Sequence, residues 1–378
     1  MKTGKTLRAA ALLAAAIINI LIFCMVSYAD TAQAAGAQTE TAAEADAQAA
    51  ADQTAKAAIA EPSINSTAGI VINADTGEVL WARDADTQHY PASITKVMTA
   101  LLVMENCKMD ETVTFSRAAT TNLESGATTA RMSQGDKMSV KDCLYALMLQ
   151  SANEVANALA EHVAGSVPAF ADMMNRRARE LGCTNTHFVN PNGLNNEKHL
   201  TTAHDMALIT AAAFKYDELR KIDTTNVYRL PPSKNDKSGL LLSLNNKMLM
   251  KNHEKYYEYA IAGKTGYTSK AGNTLVIMAE KDGVRLVTVT MKNKKYLAHY
   301  DDTRAMLEYG FRVMEQRRAS GEAQSGTGPE GKGTGAAAGA AASDAAAGTD
   351  AEAGAAAPAG TENALHAEAV EFTAPGAQ

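Results

Sequence analysis

The run Tyr90-Pro91-Ala92-Ser93-Ile94-Thr95-Lys96-Val97-Met98-Thr99-Ala100 decides how this chain is read. It sets a hydroxyl and an amine three positions apart, and on a helix such positions share a face. A serine is a poor nucleophile until a base takes its proton, and a desolvated lysine can be that base. Taken alone, Ser93 and Lys96 are also what an ordinary solvated helix face carries. The pair gains meaning from its surroundings.

Upstream, Ala68-Gly69-Ile70-Val71-Ile72-Asn73 and Val79-Leu80-Trp81-Ala82-Arg83 are strand-like runs joined by a turn at Asp75-Thr76-Gly77, a hairpin pattern. A helix is expected from Pro91 or Ala92 to about Met104. Ser139 followed by Asp142 is a capping-box pattern opening a helix through Leu149. Further helices are expected from Glu154 to Ala164, from Ser166 with Pro168 to Leu181-Gly182, and from Thr201 or Thr202 through Phe214. Then the pattern changes. Tyr257 to Gly266, Thr274 to Glu280 and Arg285 to Met291 carry β-branched and aromatic residues, with Lys281-Asp282-Gly283 as a turn. A last helix is expected from Asp301 to Gln316. Strands at both ends with helices between predict an α+β fold: a mostly antiparallel sheet flanked by helices, with a helical subdomain at about 93–250 inserted.

The ends of the 378-residue chain differ from its middle. Lys2, Lys5 and Arg8 precede an apolar run from Ala9 to Val26 and then small residues. This reads as a signal peptide over residues 1–34, with an uncleaved anchor helix as the alternative. Ile22 and Phe23 are too bulky for a lipidation box at Cys24. Residues 35–65 read as a low-complexity linker and 319–378 as an Ala/Gly-rich acidic tail; neither offers the apolar surface to offset ordering entropy. The formal charge of −6 lies partly in that tail, so no basic face and no nucleic-acid partner is implied. Cys107, Cys143 and Cys183 show no metal spacing and no disulfide framework, and are expected as buried thiols.

Two further motifs follow Ser93 in order. Ser151-Ala152-Asn153 sits where one expected helix ends and the next begins, a junction that presents polar side chains to a cleft. The bland alternative is that both residues cap the following helix. Lys264-Thr265-Gly266 lies on an expected strand, where the small glycine lets a substrate backbone approach. Lys264 as an exposed sheet-edge lysine is the plain alternative. Such triplets are cheap: Lys2-Thr3-Gly4, Ser63-Ile64-Asn65 and Ser243-Leu244-Asn245 repeat the patterns. Order and setting carry the signal.

On these residues, the chain resembles the serine-type D-alanyl-D-alanine carboxypeptidases, the low-molecular-mass penicillin-binding proteins of the peptidase S11 family. The resemblance covers roughly residues 66–318. It includes the hairpin at Ala68-Gly69-Ile70-Val71, the segment Phe188-Val189-Asn190-Pro191-Asn192-Gly193-Leu194, His199 to Met206, and Gly263-Lys264-Thr265-Gly266-Tyr267-Thr268. It implies a DD-peptidase/β-lactamase-like fold and a catalytic domain over 66–318. The implied catalytic residues are Ser93, Lys96, Ser151 and Asn153, and the substrate-binding residues Lys264, Thr265, Gly266 and Tyr267. Ser93 is the expected nucleophile and Lys96 its base. Ser151 is expected as a proton relay, and Asn153 to hold Lys96 and the substrate amide. Lys264 and Thr265 are expected to receive the terminal carboxylate, with backbone N–H groups of Ser93 and Tyr267 as oxyanion hole. No metal or cofactor is implied. The implied partners are peptidoglycan stem peptides ending in D-Ala-D-Ala and β-lactams, in an extracytoplasmic setting, secreted or envelope-associated. Membrane contact is expected only if the N-terminal segment stays uncleaved. His199 and Asp205 are expected to organise a loop.

The chain also departs from its relatives. Many carry a β-rich second domain and an amphipathic anchor, and both are expected to be absent, since low complexity follows Arg318. An arginine often precedes the last helix of relatives; here Lys292, Lys294, Lys295 or His299 is left to assist Lys264. The rivals are a serine β-lactamase, a DD-transpeptidase or endopeptidase on the same fold, and a non-catalytic penicillin-binding envelope protein. The first needs a glutamate base, and E-x-x-L-N is missing between Ser151 and Lys264, with Glu197 the available acid.

Overall fold

The computed structural model describes residues 59–121 and 123–321. The expected signal peptide, most of the expected linker and almost all of the expected tail lie outside the described residues.

Strand β1 (Ala68–Asn73) turns into β2 (Val79–Arg83) as the hairpin pattern predicts. The chain then makes a 3-10 turn, Ala92–Thr95, and enters helix α1 (Lys96–Asn106). Next come β3 (Thr112–Thr114), α2 (Arg117–Thr121) and β4 (Lys137–Ser139). Helix α3 (Val140–Tyr145) starts on the Ser139/Asp142 capping box and runs on as a π turn, Ala146–Gln150. Helix α4 (Asn153–Ala164) stops at Gly165, where φ is +78°. Helix α5 (Val167–Glu180) is capped by Ser166, with Pro in its first turn, and α6 (Ala203–Ala213) is capped by Thr202. Helix α7 (Asp217–Asp223), β5 (Val227–Arg229) and β6 (Leu241–Ser243) follow. Strands β7 (Ala260–Thr268), β8 (Gly272–Lys281) and β9 (Val284–Asn293) and helix α8 (Ala298–Ala319) complete the described chain.

The main sheet is antiparallel throughout, in the order β2-β1-β9-β8-β7. Its central strands read as nearly continuous apolar runs because both faces are covered. All six residues of β1 are buried. On one face Val71, Leu275, Ile277 and Leu286 pack with Met306, Leu307 and Phe311 of α8. On the other, Ile70, Ile72, Val276, Met278, Val287 and Val289 join the larger core built with α1, α4 and α6. Helix α6 packs on both β1 and β9. The middle of the chain is thus mostly helical, with two small two-stranded sheets, β3-β4 and β5-β6.

The two ends of the domain are tied at Asp302. Its carboxylate accepts the N–H groups of Asn65 and Ser66, the Ser66 hydroxyl, and the Asn293 side-chain amide. Ile64 is buried against the same cluster as Met306. Residues 64 and 65, expected in the linker, therefore pack on the sheet. Among the described residues no helix is long and apolar enough to cross a membrane.

Candidate active site

Ser93 stands in the 3-10 turn, not in the α-helix that the spacing suggests; the α-helix begins at Lys96. The turn is strained. Ala92 is buried with φ at +52°, a region a non-glycine residue enters at a cost. Neighbours hold it there. The Pro91 carbonyl accepts the Thr274 hydroxyl of β8 at 2.9 Å. A Cβ on Gly193 would lie 1.9 Å from the Ala92 carbonyl oxygen, so the Asn192-Gly193 loop runs directly against the turn.

Lys96 is fully buried. Its Nζ lies 3.1 Å from Ser93 Oγ, 2.8 Å from Asn153 Oδ1 and 2.6 Å from the Asn192 carbonyl oxygen. Burial pushes its pKa well below the ordinary lysine range, the charge of Lys264 adds to this, and Glu154 opposes it. A neutral amine keeps two N–H groups and one lone pair. With the two N–H groups on Asn153 and Asn192, the lone pair faces the Ser93 hydroxyl. That geometry lets the amine take the hydroxyl proton.

Asn153 occupies the first turn of α4, and its orientation is fixed. Its Nδ2 donates to the Thr128 carbonyl at 3.0 Å, as does its backbone N–H at 2.9 Å, which leaves Oδ1 for Lys96. Neither Ser151 nor Asn153 caps α4; the N-cap is Ala152, with no side-chain bond. Ser151 closes the π turn in the left-handed region, φ +59°, and its buried Oγ has no partner among the described residues. The structure therefore bonds Ser93, Lys96 and Asn153 together and leaves Ser151 as an unpartnered hydroxyl at the same helix junction.

The opposite wall is β7. Strand β7 is at the sheet edge, but Lys264 is 1% exposed, so the exposed-lysine alternative fails; its Nζ donates to the Thr265 carbonyl at 3.0 Å. Thr265 is half-buried, and Tyr267 is 67% exposed. Gly266 also lies against the Ser93 turn. A Cβ there would sit 2.4 Å from Thr274 Oγ1, 2.9 Å from Ser93 N and 3.1 Å from Ile94 N. The glycine admits the Ser93 turn to the strand.

Three contributors carried no clear sequence signal. The Asn192 carbonyl is a backbone group. Its position follows from the Asn190-Pro191-Asn192-Gly193 turn, where Asn190 Oδ1 accepts the N–H of Gly193 and the Thr99 hydroxyl donates to Pro191. Asp223, the last residue of α7, is 2% exposed and accepts the Gly263 N–H at 2.7 Å. Burial raises its pKa, with the Gly263 bond and Lys264 opposing. Glu154 is buried and accepts N–H groups of Ala130 and Met132. Burial raises its pKa too, against those bonds.

His199 has the bonds of a loop organiser. Nδ1 accepts the Val189 N–H, so Nε2 carries the proton and donates to Thr95 Oγ1 at 2.9 Å. Burial lowers its pKa to about 3. Asp205 similarly gathers the N–H groups of Thr184 and Asn185 and the Thr186 hydroxyl. His299, one of the groups expected to assist Lys264, does not suit that task. It is 4% exposed and burial lowers its pKa to about 4, so it is neutral at pH 7. Lys292, Lys294 and Lys295 are exposed, and so is Glu197.

Solved structures share this architecture. The chain is similar to the DD-transpeptidase of Streptomyces K15, with a TM-score of 0.61 and 30% identity over 67% of this chain and all of that one. It is equally similar to a D-alanyl-D-alanine carboxypeptidase from Mycobacterium tuberculosis H37Rv, at 0.61 and 30%, covering 68% of this chain and 95% of that one. The fold is thus the α+β DD-peptidase/β-lactamase-like class that the resemblance implied.

Within that class, the chain belongs to the D-alanyl-D-alanine carboxypeptidase family, which matches residues 54–295. Among curated relatives, it is 32% identical over 251 residues to the D-alanyl-D-alanine carboxypeptidase DacF of Bacillus subtilis (strain 168). It is 31% identical over 254 residues to DacA of Escherichia coli (strain K12). Each match covers 65% of this chain, which spans 62% and 60% of those two relatives.

Proposed function

We propose that this chain is a serine D-alanyl-D-alanine carboxypeptidase that removes the terminal D-alanine from peptidoglycan pentapeptide stems, and that β-lactams acylate it. The observation that carries this reading is the buried Lys96 amine, with two acceptors for its N–H groups and Ser93 Oγ at 3.1 Å. In this reading Lys96 takes the proton of Ser93 as Oγ attacks the carbonyl carbon of the penultimate D-alanine. The N–H groups of Ser93 and Tyr267 receive the developing oxyanion. Ser151, whose buried hydroxyl has no partner among the described residues, passes a proton to the leaving amine. The C–N bond breaks, D-alanine departs, and water later cleaves the Ser93 ester. Lys264 and Thr265 take the substrate carboxylate as a charge and a hydroxyl donor. Gly266 keeps the strand and the Ser93 turn close enough to share one substrate.

The catalytic unit is assigned to residues 66–318, with Ile64 and Asn65 packed against it. The N-terminal apolar run is assigned as an export signal, in keeping with a substrate outside the cytoplasm.

Two measurements test the reading. Fluorescent penicillin should label the protein covalently, and Ser93→Ala should abolish labelling while lowering D-alanine release by about 10⁴-fold or more. A pentapeptide ending in D-Ala-D-Ala should release free D-alanine. Transfer to an acceptor amine without hydrolysis would favour the transpeptidase reading, which the likeness to the Streptomyces K15 DD-transpeptidase supports. Penicillin turnover without a persistent acyl-enzyme would favour a β-lactamase.

A further inference from the structure

Away from this cleft, three side chains of different donor chemistry converge. Cys107 caps the C-terminal end of α1, Glu111 lies in the loop before β3, and His162 is in the last turn of α4. The thiol, a carboxylate oxygen and an imidazole nitrogen all lie within 4.8 Å of one another. His162 Nε2 is 3.0 Å from Glu111 Oε2. The other Glu111 oxygen accepts the Lys108 N–H at 2.7 Å, which fixes the carboxylate plane. Cys107 and His162 are half-buried and Glu111 is more open, so the cluster has a protein wall and a solvent side.

Cysteine, histidine and carboxylate together are the donor set of zinc, whereas calcium and magnesium favour all-oxygen shells. Bonds of about 2.0–2.3 Å in a tetrahedron place the donors roughly 3.3–3.8 Å apart. Side-chain shifts of about an ångström reach that arrangement from the observed one. A thiolate and a carboxylate balance the charge of a divalent ion, and the open side leaves the fourth position to water. A plain His–Glu ion pair beside a thiol explains the 3.0 Å contact but not the third donor. Sequence spacing hides the set, because His162 lies 51 residues beyond Glu111.

We propose that Cys107, Glu111 and His162 form a zinc site with water as fourth ligand. On binding, the Cys107 S–H bond breaks, its proton goes to solvent and a Zn–S bond forms. In the metal-free protein, burial and the Glu111 charge push the thiol up to about 11, so the ion must displace that proton. The position suggests what the ion does. Helix α1 begins at Lys96 and helix α4 at Asn153, the two residues whose side chains meet in the cleft. The same helices end at Cys107 and beside His162. The ion clamps the far ends of the two helices whose near ends carry the catalytic contact.

The test uses the full chain stripped with a chelator and titrated with Co²⁺ alone, then with Zn²⁺ in competition. One equivalent should bind with a thiolate-to-cobalt charge-transfer band, and zinc should displace it and raise the unfolding midpoint. Cys107→Ser should lose the band, and Glu111→Gln and His162→Ala should weaken zinc by about 100-fold or more. Cys143→Ser, in the core, should keep both. Covalent penicillin labelling of each variant reports that its fold is intact. X-ray absorption of the zinc-loaded wild-type protein should show one sulfur neighbour, which needs no variant. No stoichiometric zinc binding at micromolar concentration, a band that survives Cys107→Ser, or a shell without sulfur would overturn the proposal.

Discussion

Two lysines face the cleft from opposite walls, and both are buried to within 1%. On the helical wall, Lys96 has three acceptors, none of them charged, and burial with the nearby Lys264 charge disfavours its ammonium. On the strand wall, Lys264 has one carbonyl for a partner, and buried Asp223 works against the burial that lowers its pKa. Similar burial thus serves opposite ends. In the proposed mechanism one amine is neutral and accepts a proton, while the other has a carboxylate nearby that favours its charge. Burial leads in both, and the further charge of Lys264 beside Lys96 is what sets the pair apart.

The contrast breaks most directly at Lys96. Lys96→Arg preserves a cation but offers no lone pair at any working pH. Penicillin acylation should fall by about 10²–10⁴-fold, read as the second-order labelling rate. A variant that labels at the wild-type rate would remove the base from this account. Gly266→Ala attacks the contact between the walls. Its Cβ would meet Thr274 Oγ1 at 2.4 Å and Ser93 N at 2.9 Å, so the turn or the strand must shift. A displacement of about 1 Å costs on the order of 10²-fold in kcat/KM. Native-like kinetics would show that the turn has slack.

Asp223→Asn sharpens the comparison. The amide oxygen can still accept the Gly263 N–H, but the charge that supports the Lys264 ammonium is gone. The alkaline limb of kcat/KM should move to lower pH, with KM for a carboxylate substrate rising about tenfold and kcat nearly unchanged. The acid limb should stay. An unmoved alkaline limb would separate Asp223 from Lys264.

The smallest effect concerns stability. Burial holds His299 at about 4 in the fold, with Asp302 and Asp301 opposing, against 6.5 unfolded. The unfolded chain therefore binds the proton first as pH falls. The contribution of the neutral ring is complete above pH 6.5 and is lost between 6.5 and about 4. His299→Gln should flatten the decline of the thermal midpoint across that window, an outcome a pH series of melting curves reads directly.

Much of this was legible in the residues. Alternation and turn signals located the hairpin and the last three strands, and capping residues located α3, α5 and α6. The parts that escaped are set by contacts distant in sequence. The spacing of Ser93 and Lys96 suggested one helix. The strand wall and the Asn192-Gly193 loop instead press the start into a 3-10 turn with Ala92 in a strained conformation. The stretch to Leu149 looked like one helix, yet it ends in a π turn that aims Ser151 from a left-handed backbone. The Asn192 carbonyl has no side-chain signature. Asp223 drew no reading from the sequence, because its burial under Gly263 depends on a strand 40 residues further on. Gly266 was recognised as a close approach, and the Ser93 turn is a neighbour that its spacing did not announce.

The Asp302 tie has a consequence for the order of assembly. It joins groups 236 residues apart, and β1 finds its inner neighbour in β9, near the end of the described chain. Closing so long a loop adds little to the equilibrium cost but slows the search. As the polypeptide emerges, the opening hairpin has two strands and is marginal alone, while the helical middle already holds many of its own contacts. The Lys264 strand and the threonine that braces Pro91 arrive late. A chain stopped short of β7 therefore contains Ser93 and Lys96 but lacks the wall that presses their turn into place. If penicillin acylates Ser93 as proposed, the label reports a chain whose synthesis and folding have reached β7 and β8.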